Sequence, residues 1–168
     1  MKHIFLSLLM LTAFSVIPGT SMAQTSDRSK VVTKTGIAEG HERQRASVYH
    51  AGLWEQEIGY AQAIKVGNTI YVSGTVGANE KGFPDDLESQ MKLAYAAIQR
   101  TLAHYGANLS NVVMERIQTT DMDALIKSQD ARKRIYGDWL PAATWIEVKR
   151  LYRTEARIEI DVEVRLDK

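Results

Sequence analysis

The sequence predicts an α+β fold, a single sheet with two helices on one of its faces. Three observations predict it. Ile158, Ile160, Val162 and Val164 alternate with Glu159, Asp161, Glu163 and Arg165, the period-two pattern of a strand with one buried face. Leu87, Met91, Ala94, Ile98, Leu102 and Tyr105 recur at helical spacing and make one apolar stripe. Gly67-Asn68 separates two β-rich runs, a hairpin signal because both residues tolerate positive φ.

The N-terminus stands apart from the fold. Lys2 supplies a positive start, residues 4–17 are almost unbroken apolar, and Pro18-Gly19 ends the run before Ser21-Met22-Ala23. These are the regions of a secretory signal peptide over 1–23, cleaved after Ala23, and they place the mature protein in the periplasm or outside the cell. The alternative is an uncleaved anchor, against which the run is short for a membrane span. With the leader removed, no membrane partner is expected. Residues 24–46 are polar and read as a loose arm, and the folded domain is expected over 47–168.

Within that domain, residues 60–66 and 69–75 are expected strands, and 78–85, rich in Gly, Pro and charge, a loop. Residues 86–105 form the strongest helix, capped by Asp85 or Asp86 and followed by Gly106 at a position suited to left-handed backbone. Residues 112–119 read as a strand. Thr120 or Asp121 then caps a second helix over 123–139, which Pro141 prevents from continuing. Thr144, Ile146 and Val148 alternate with Ala143, Trp145 and Glu147 in a further strand with one buried face, before the last strand over 158–165. The order is β-β-α-β-α-β-β, with room for a short extra strand near 47–50. The polar face of the last strand can look towards water or line the inside of an oligomer.

Composition excludes several kinds of function. There is no cysteine, so disulfides, thiol chemistry and cysteine-ligated metals play no part. The chain carries net +1, of which Lys2 belongs to the leader, so the mature protein is formally neutral and lacks the basic footprint of nucleic-acid binding. There is no Walker A loop, dinucleotide fingerprint or nucleophile elbow. His41, His50 and His104 share no metal-ligand spacing, so no metal site is expected. Asp121 and Asp123 read as helix capping in preference to a metal pair.

Four segments, in order, resemble the Rid (YjgF) family. They are Gly59-Tyr60-Ala61-Gln62-Ala63 leading into the run from Val66 to Gly74; Asn79, Pro84, Asp86 and Gln90 before a helix ending at Gly106-Ala107; Asn111-Val112-Val113 with Thr119-Thr120-Asp121-Met122; and the run from Pro141 to Leu151, closed by Ile158-Glu159-Ile160. The resemblance covers about 120 residues. It implies a chorismate-mutase-like fold assembled as a homotrimer around an inner barrel, with small-molecule clefts between subunits. It also implies hydrolysis of enamines and imines to keto compounds and ammonia, with no cofactor.

Carried over residue by residue, the resemblance makes Glu159 the catalytic glutamate that orients water. Tyr60 falls on a cleft tyrosine, though it could be a packing aromatic. Ser73 and Gly74 fall on the pair ending the second strand, where glycine permits close backbone approach but could equally mark a strand end. The family's substrate-gripping arginine falls on Ala143, which follows Pro141-Ala142 and carries only a methyl group. Losing that charge-assisted contact costs a carboxylated substrate roughly 1.5–3 kcal/mol. Trp145 shares the strand face of Ala143 and is expected to open into the cleft, favouring a neutral, aromatic or cationic ligand. Arg150 has the wrong parity to compensate, whereas Arg157 or an arginine from another subunit could. Three functions compete: deamination with altered substrate preference, non-catalytic metabolite binding, and, least supported by charge, ribonuclease activity.

Overall fold

The computed structural model describes residues 46–166. The expected leader and all but the last residue of the expected arm lie outside the described residues.

The elements are β1 (Ser47–Tyr49), α1 (Leu53–Ile58), β2 (Ala63–Val66), β3 (Thr69–Val76), α2 (Leu87–His104), β4 (Val112–Thr119), α3 (Met122–Lys127), α4 (Gln129–Tyr136), β5 (Ala142–Glu147) and β6 (Ile158–Arg165). They build one six-stranded sheet in the order β1-β2-β3-β6-β4-β5. Every neighbouring pair is antiparallel except β4 and β5, which run parallel.

Local chemistry explains the element ends. Gly67, at φ 58, turns β2 into β3 with Val66 opposite Thr69. The Asp86 carboxylate accepts from Ser89 N–H at 2.8 Å and caps α2, and Gly106 follows its end at φ 70. Asp121 caps α3, accepting from Ala124 N–H at 2.9 Å. Leu87, Met91, Ala94, Ile98 and Leu102 bury completely or nearly so against Ile70, Val72, Ile117 and the apolar row of β6. Burying such side chains contributes about 1.5–3 kcal/mol each, which is the main force holding helix to sheet.

Three features differ from the sequence reading. Residues 53–58 form the unexpected short helix α1. The second helix is two: the chain turns at Ser128, whose hydroxyl donates to Ala124 O at 2.9 Å, and α4 ends at Gly137 with φ 66, three residues before Leu140. Trp139 is therefore outside the helix, where its indole N–H donates to Val112 O at 2.7 Å. Finally, β5 is an edge strand whose residues all remain at least partly exposed, with Ile146 at 49%. Its period-two pattern therefore buries neither face fully within one chain.

Candidate functional site

The last strand divides the sheet chemically. Ile158, Ile160, Val162 and Val164 face the helices, and Glu159, Asp161 and Glu163 face away. Arg116 on β4 bridges that polar row, with Nε 3.3 Å from Asp161 and Nη2 2.7 Å from Glu163.

A bulge shapes the sheet beside Glu159. Between Val72, opposite Val162, and Thr75, opposite Ile160, β3 carries one residue more than β6. Ser73 and Gly74 occupy it. The Ser73 hydroxyl donates to Ala61 O at 2.7 Å, and its N–H donates to Gln62 O at 2.9 Å. Gln62 donates to Thr75 Oγ1 at 2.9 Å. These bonds tie the segment before β2 to the bulge. Gly74 then lies against Glu159: a Cβ there would meet Oε1 at 1.8 Å and Cδ at 2.7 Å. The glycine makes room for the carboxylate, the close-approach role of glycine in a strand.

Tyr60, Ser73, Gly74 and Glu159 all line one cavity of about 940 Å³. Its wall also includes Trp54 and Glu55 of α1, Phe83, Arg100, Tyr152 and Arg153. The Trp54 and Tyr60 rings meet edge to face with centroids 5.7 Å apart. Burial, followed by the charges of Glu55 and Glu159, pushes the Tyr60 phenol up to about 12. Burial, followed by Asp161, pushes the Glu159 carboxyl above its ordinary range. The arrangement offers a half-buried proton acceptor, an aromatic wall and a phenol that stays protonated near neutral pH.

Ala143 and Trp145 lie elsewhere in the chain. Their register partners on β4 are Glu115 and Ile117, whose side chains face the helices. Glu159 pairs with Gln118, on the opposite face. Neither Ala143 nor Trp145 lines the cavity. Parity does put the two on one face, and within one chain that face does not open into the Glu159 cavity. The Trp145 ring packs beside the core, with the Arg132 guanidinium 5.4 Å from its centroid. Arg157, a candidate substitute for the absent arginine, is engaged by Asp121 and by Asp85 O. Arg150 turns its Nε to Leu151 O at 3.3 Å.

Arg132 belongs to a buried cluster under β5. Glu115 is fully buried and accepts from Tyr95 OH at 2.6 Å, Tyr136 OH at 2.8 Å and Arg132 Nε at 2.7 Å. Arg132 Nη2 approaches the same carboxylate at 2.6 Å, off the line of a hydrogen bond. Burial and then Glu115 push both phenols up, so they remain donors. The cluster fastens α2 and α4 to the sheet.

Sequence reasoning missed Trp54, Glu55, Phe83, Tyr152 and the rim arginines. Residues 53–58 are too few to show helical periodicity, Phe83, Tyr152 and Arg153 lie on loops, and Arg100 reads as an exposed residue of α2. Among the described residues no group of three or more His, Asp or Glu side chains could hold a metal ion, and no helix is long and apolar enough to cross a membrane.

Comparison with known proteins adds to this geometry. A family model described as endoribonuclease L-PSP matches residues 54–165. A RutC family protein of Pyrococcus abyssi is 34% identical over 98 residues, covering 55% of this chain and 75% of that protein. A protein of Dermatophagoides farinae named 2-iminobutanoate/2-iminopropanoate deaminase is 29% identical over 113 residues, 65% of this chain and 88% of the relative. Among solved structures, a YjgF/YER057c/UK114 family member from Mycobacterium tuberculosis superposes with TM-score 0.66 at 26% identity, covering 73% of this chain and all of that one.

Proposed function

Because the chain belongs to the endoribonuclease L-PSP family, the YjgF or Rid group, we propose that it hydrolyses reactive imines at Glu159, with a substrate preference altered by Ala143, which in this reading reaches the cleft from a neighbouring copy because it does not line the Glu159 cavity of its own chain. The observation that carries this reading is the Glu159 carboxylate, half-buried in the cavity wall and given room by Gly74.

The chemistry is the addition of water to the carbon of a protonated C=N group, the iminium that forms when the imine takes a proton from solvent. Glu159, ionised, takes a proton from water as the oxygen bonds to carbon and the C=N π pair moves to nitrogen. The protonated carboxyl then gives that proton to the amine nitrogen of the carbinolamine. The C–N pair leaves with nitrogen, the hydroxyl oxygen forms C=O, and its proton passes to Glu159 or solvent. Ammonia and a carbonyl compound result, and no cofactor takes part. A carboxyl raised towards neutrality suits both transfers. The Tyr60 hydroxyl, held protonated, can donate to the developing oxygen or nitrogen.

The Dermatophagoides farinae relative is named for two imino acids. This chain has only a methyl group at the position where the resemblance calls for an arginine, so an imine without a carboxylate fits better. The proposal includes a homotrimer with an inner barrel, clefts between subunits, and a periplasmic or secreted location after removal of 1–23. Exposed apolar side chains on the face away from the helices, Val48 at 53%, Ile64 at 39%, Tyr71 at 49% and Ile146 at 49%, support the packing of that face against other copies. Ala143 also supports a second reading, a non-catalytic trimer binding a small metabolite in the same cleft. The near-neutral charge weighs against ribonuclease activity.

Ammonia release from imines generated in situ, carboxylated and neutral, tests the reading. Wild type should act on neutral imines, Glu159→Ala should be inactive, and Ala143→Arg should gain activity on carboxylated ones. Inertness of wild type with gain in Ala143→Arg would favour the binding reading, and inertness of all three would refute the site.

A further inference from the structure

The cavity holds an acidic group that the deaminase reading does not use. Glu55 is completely buried on α1. Its Oε2 accepts from Ala51 N–H at 2.9 Å and lies 3.4 Å from His50 Nδ1, and its Oε1 has no hydrogen-bond partner. A buried, half-satisfied carboxylate is costly to fold around, so a counter-charge arriving from the cavity would stabilise it. Glu159 is the second carboxylate of the same wall. Tyr60 lies within the field of both, and Trp54 stands edge to face against Tyr60.

We propose that this cavity selects organic cations, a protonated imine or amine attached to an aromatic or apolar body. In this arrangement Glu159 contacts the nitrogen, Trp54 and Tyr60 flank it, and Glu55 attracts it from within the wall. The proposal rests on the deaminase reading for its choice of substrate but needs no turnover. Glu55 acts through its field: it is out of reach of solvent, and a charge in a low-dielectric wall is weakly screened. An aromatic face attracts a cation independently of that charge. Arg100 and Arg153 also line the cavity, but both are exposed. Arg153 lies 3.4 Å from Glu155, and its guanidinium sits 6.0 Å from the Phe83 centroid. Solvent screens these rim charges more than it screens Glu55 or Glu159.

Calorimetric titration of the full chain with benzylammonium, phenylacetate and benzyl alcohol tests the proposal. Benzylammonium should bind at least tenfold tighter than phenylacetate, which corresponds to about 1.4 kcal/mol. Glu159→Gln and Glu55→Gln should each weaken benzylammonium several-fold while leaving benzyl alcohol unchanged, and Trp54→Leu should weaken both. The benzyl alcohol titration shows that each variant retains the folded cavity. Preference for phenylacetate, or unchanged benzylammonium affinity in Glu55→Gln, would overturn the proposal. Glu159-dependent ammonia release without cation preference would overturn this inference and leave the deaminase reading standing. Cation binding without ammonia release would do the reverse.

Discussion

A Cβ added to Gly74 would lie 1.8 Å from Oε1 of Glu159, so the backbone of β3 and the carboxylate of β6 share a space that only glycine leaves free. Gly74→Ala should therefore displace the Glu159 side chain, a flexible group, more than it disturbs the sheet. The expected result is a fall in kcat of about a hundredfold, the scale for misplacing a reacting group by an ångström, with little change in Tm. Steady-state kinetics and thermal unfolding on one preparation measure both.

Gly77 supplies the contrast. A Cβ there would meet the backbone O of Gln90 at 1.8 Å, and a helix backbone cannot step aside as a side chain can. Gly77→Ala should cost roughly 1–3 kcal/mol of stability, the range for overpacking. Denaturant unfolding should show the loss for Gly77→Ala and not for Gly74→Ala.

The buried cluster under β5 predicts a non-additive pair. Arg132→Ala leaves Glu115 charged and buried and should cost about 3–5 kcal/mol. Arg132→Met combined with Glu115→Gln should lose far less than the two single changes together. A double-mutant cycle in denaturant measures the coupling, and simple additivity would show that the four side chains do not act as a unit.

Gln90 ties two loops to α2. It donates to Pro84 O at 2.7 Å and Glu155 O at 3.0 Å and accepts from Arg157 N–H at 2.8 Å. Gln90→Ala should cost roughly 1–3 kcal/mol, because part-buried backbone groups lose their partners. Amide hydrogen exchange should localise the loosening to the loops around Pro84 and Glu155.

Glu159 links activity and stability with opposite signs. Burial and Asp161 raise its carboxyl in the folded chain above its ordinary value. The folded state therefore holds the proton more tightly than the unfolded state, and stability falls as pH rises from the ordinary carboxylate value through the raised one. The general base works only when ionised, so kcat should rise through the same window. Glu159→Gln should remove both dependences and unfold at a higher Tm than wild type near neutral pH. A lower Tm would show that the carboxylate is stabilising and not strained by its setting.

Much of this was written in the sequence, and the reasons for the exceptions are physical. β4 and β6 are flanked by strands on both sides and pack helices on one face, so their alternation marks their ends residue for residue. Asp86 and Asp121 announce their caps because a short carboxylate beside free N–H groups has a local reason to be there. The break at Ser128 was not legible, because its hydroxyl bonds to a carbonyl four residues back while the apolar pattern continues past it. Trp145 shows a deeper limit. Parity tells which residues share a face and not what lies over that face, and Arg132, which occupies it, comes from a helix thirteen residues earlier. Glu55 was hidden for a similar reason: a glutamate in a six-residue segment reads as surface, and only the fold reveals that it is buried.

The most direct test of the account is the rate of ammonia release from a neutral imine generated in situ, compared between wild type and Glu159→Gln. Measurable release by wild type, lost in Glu159→Gln while the variant stays folded, is the result the account predicts. Equal rates in the two proteins would contradict it, since the chemistry would then owe nothing to the carboxylate that Gly74 leaves room for.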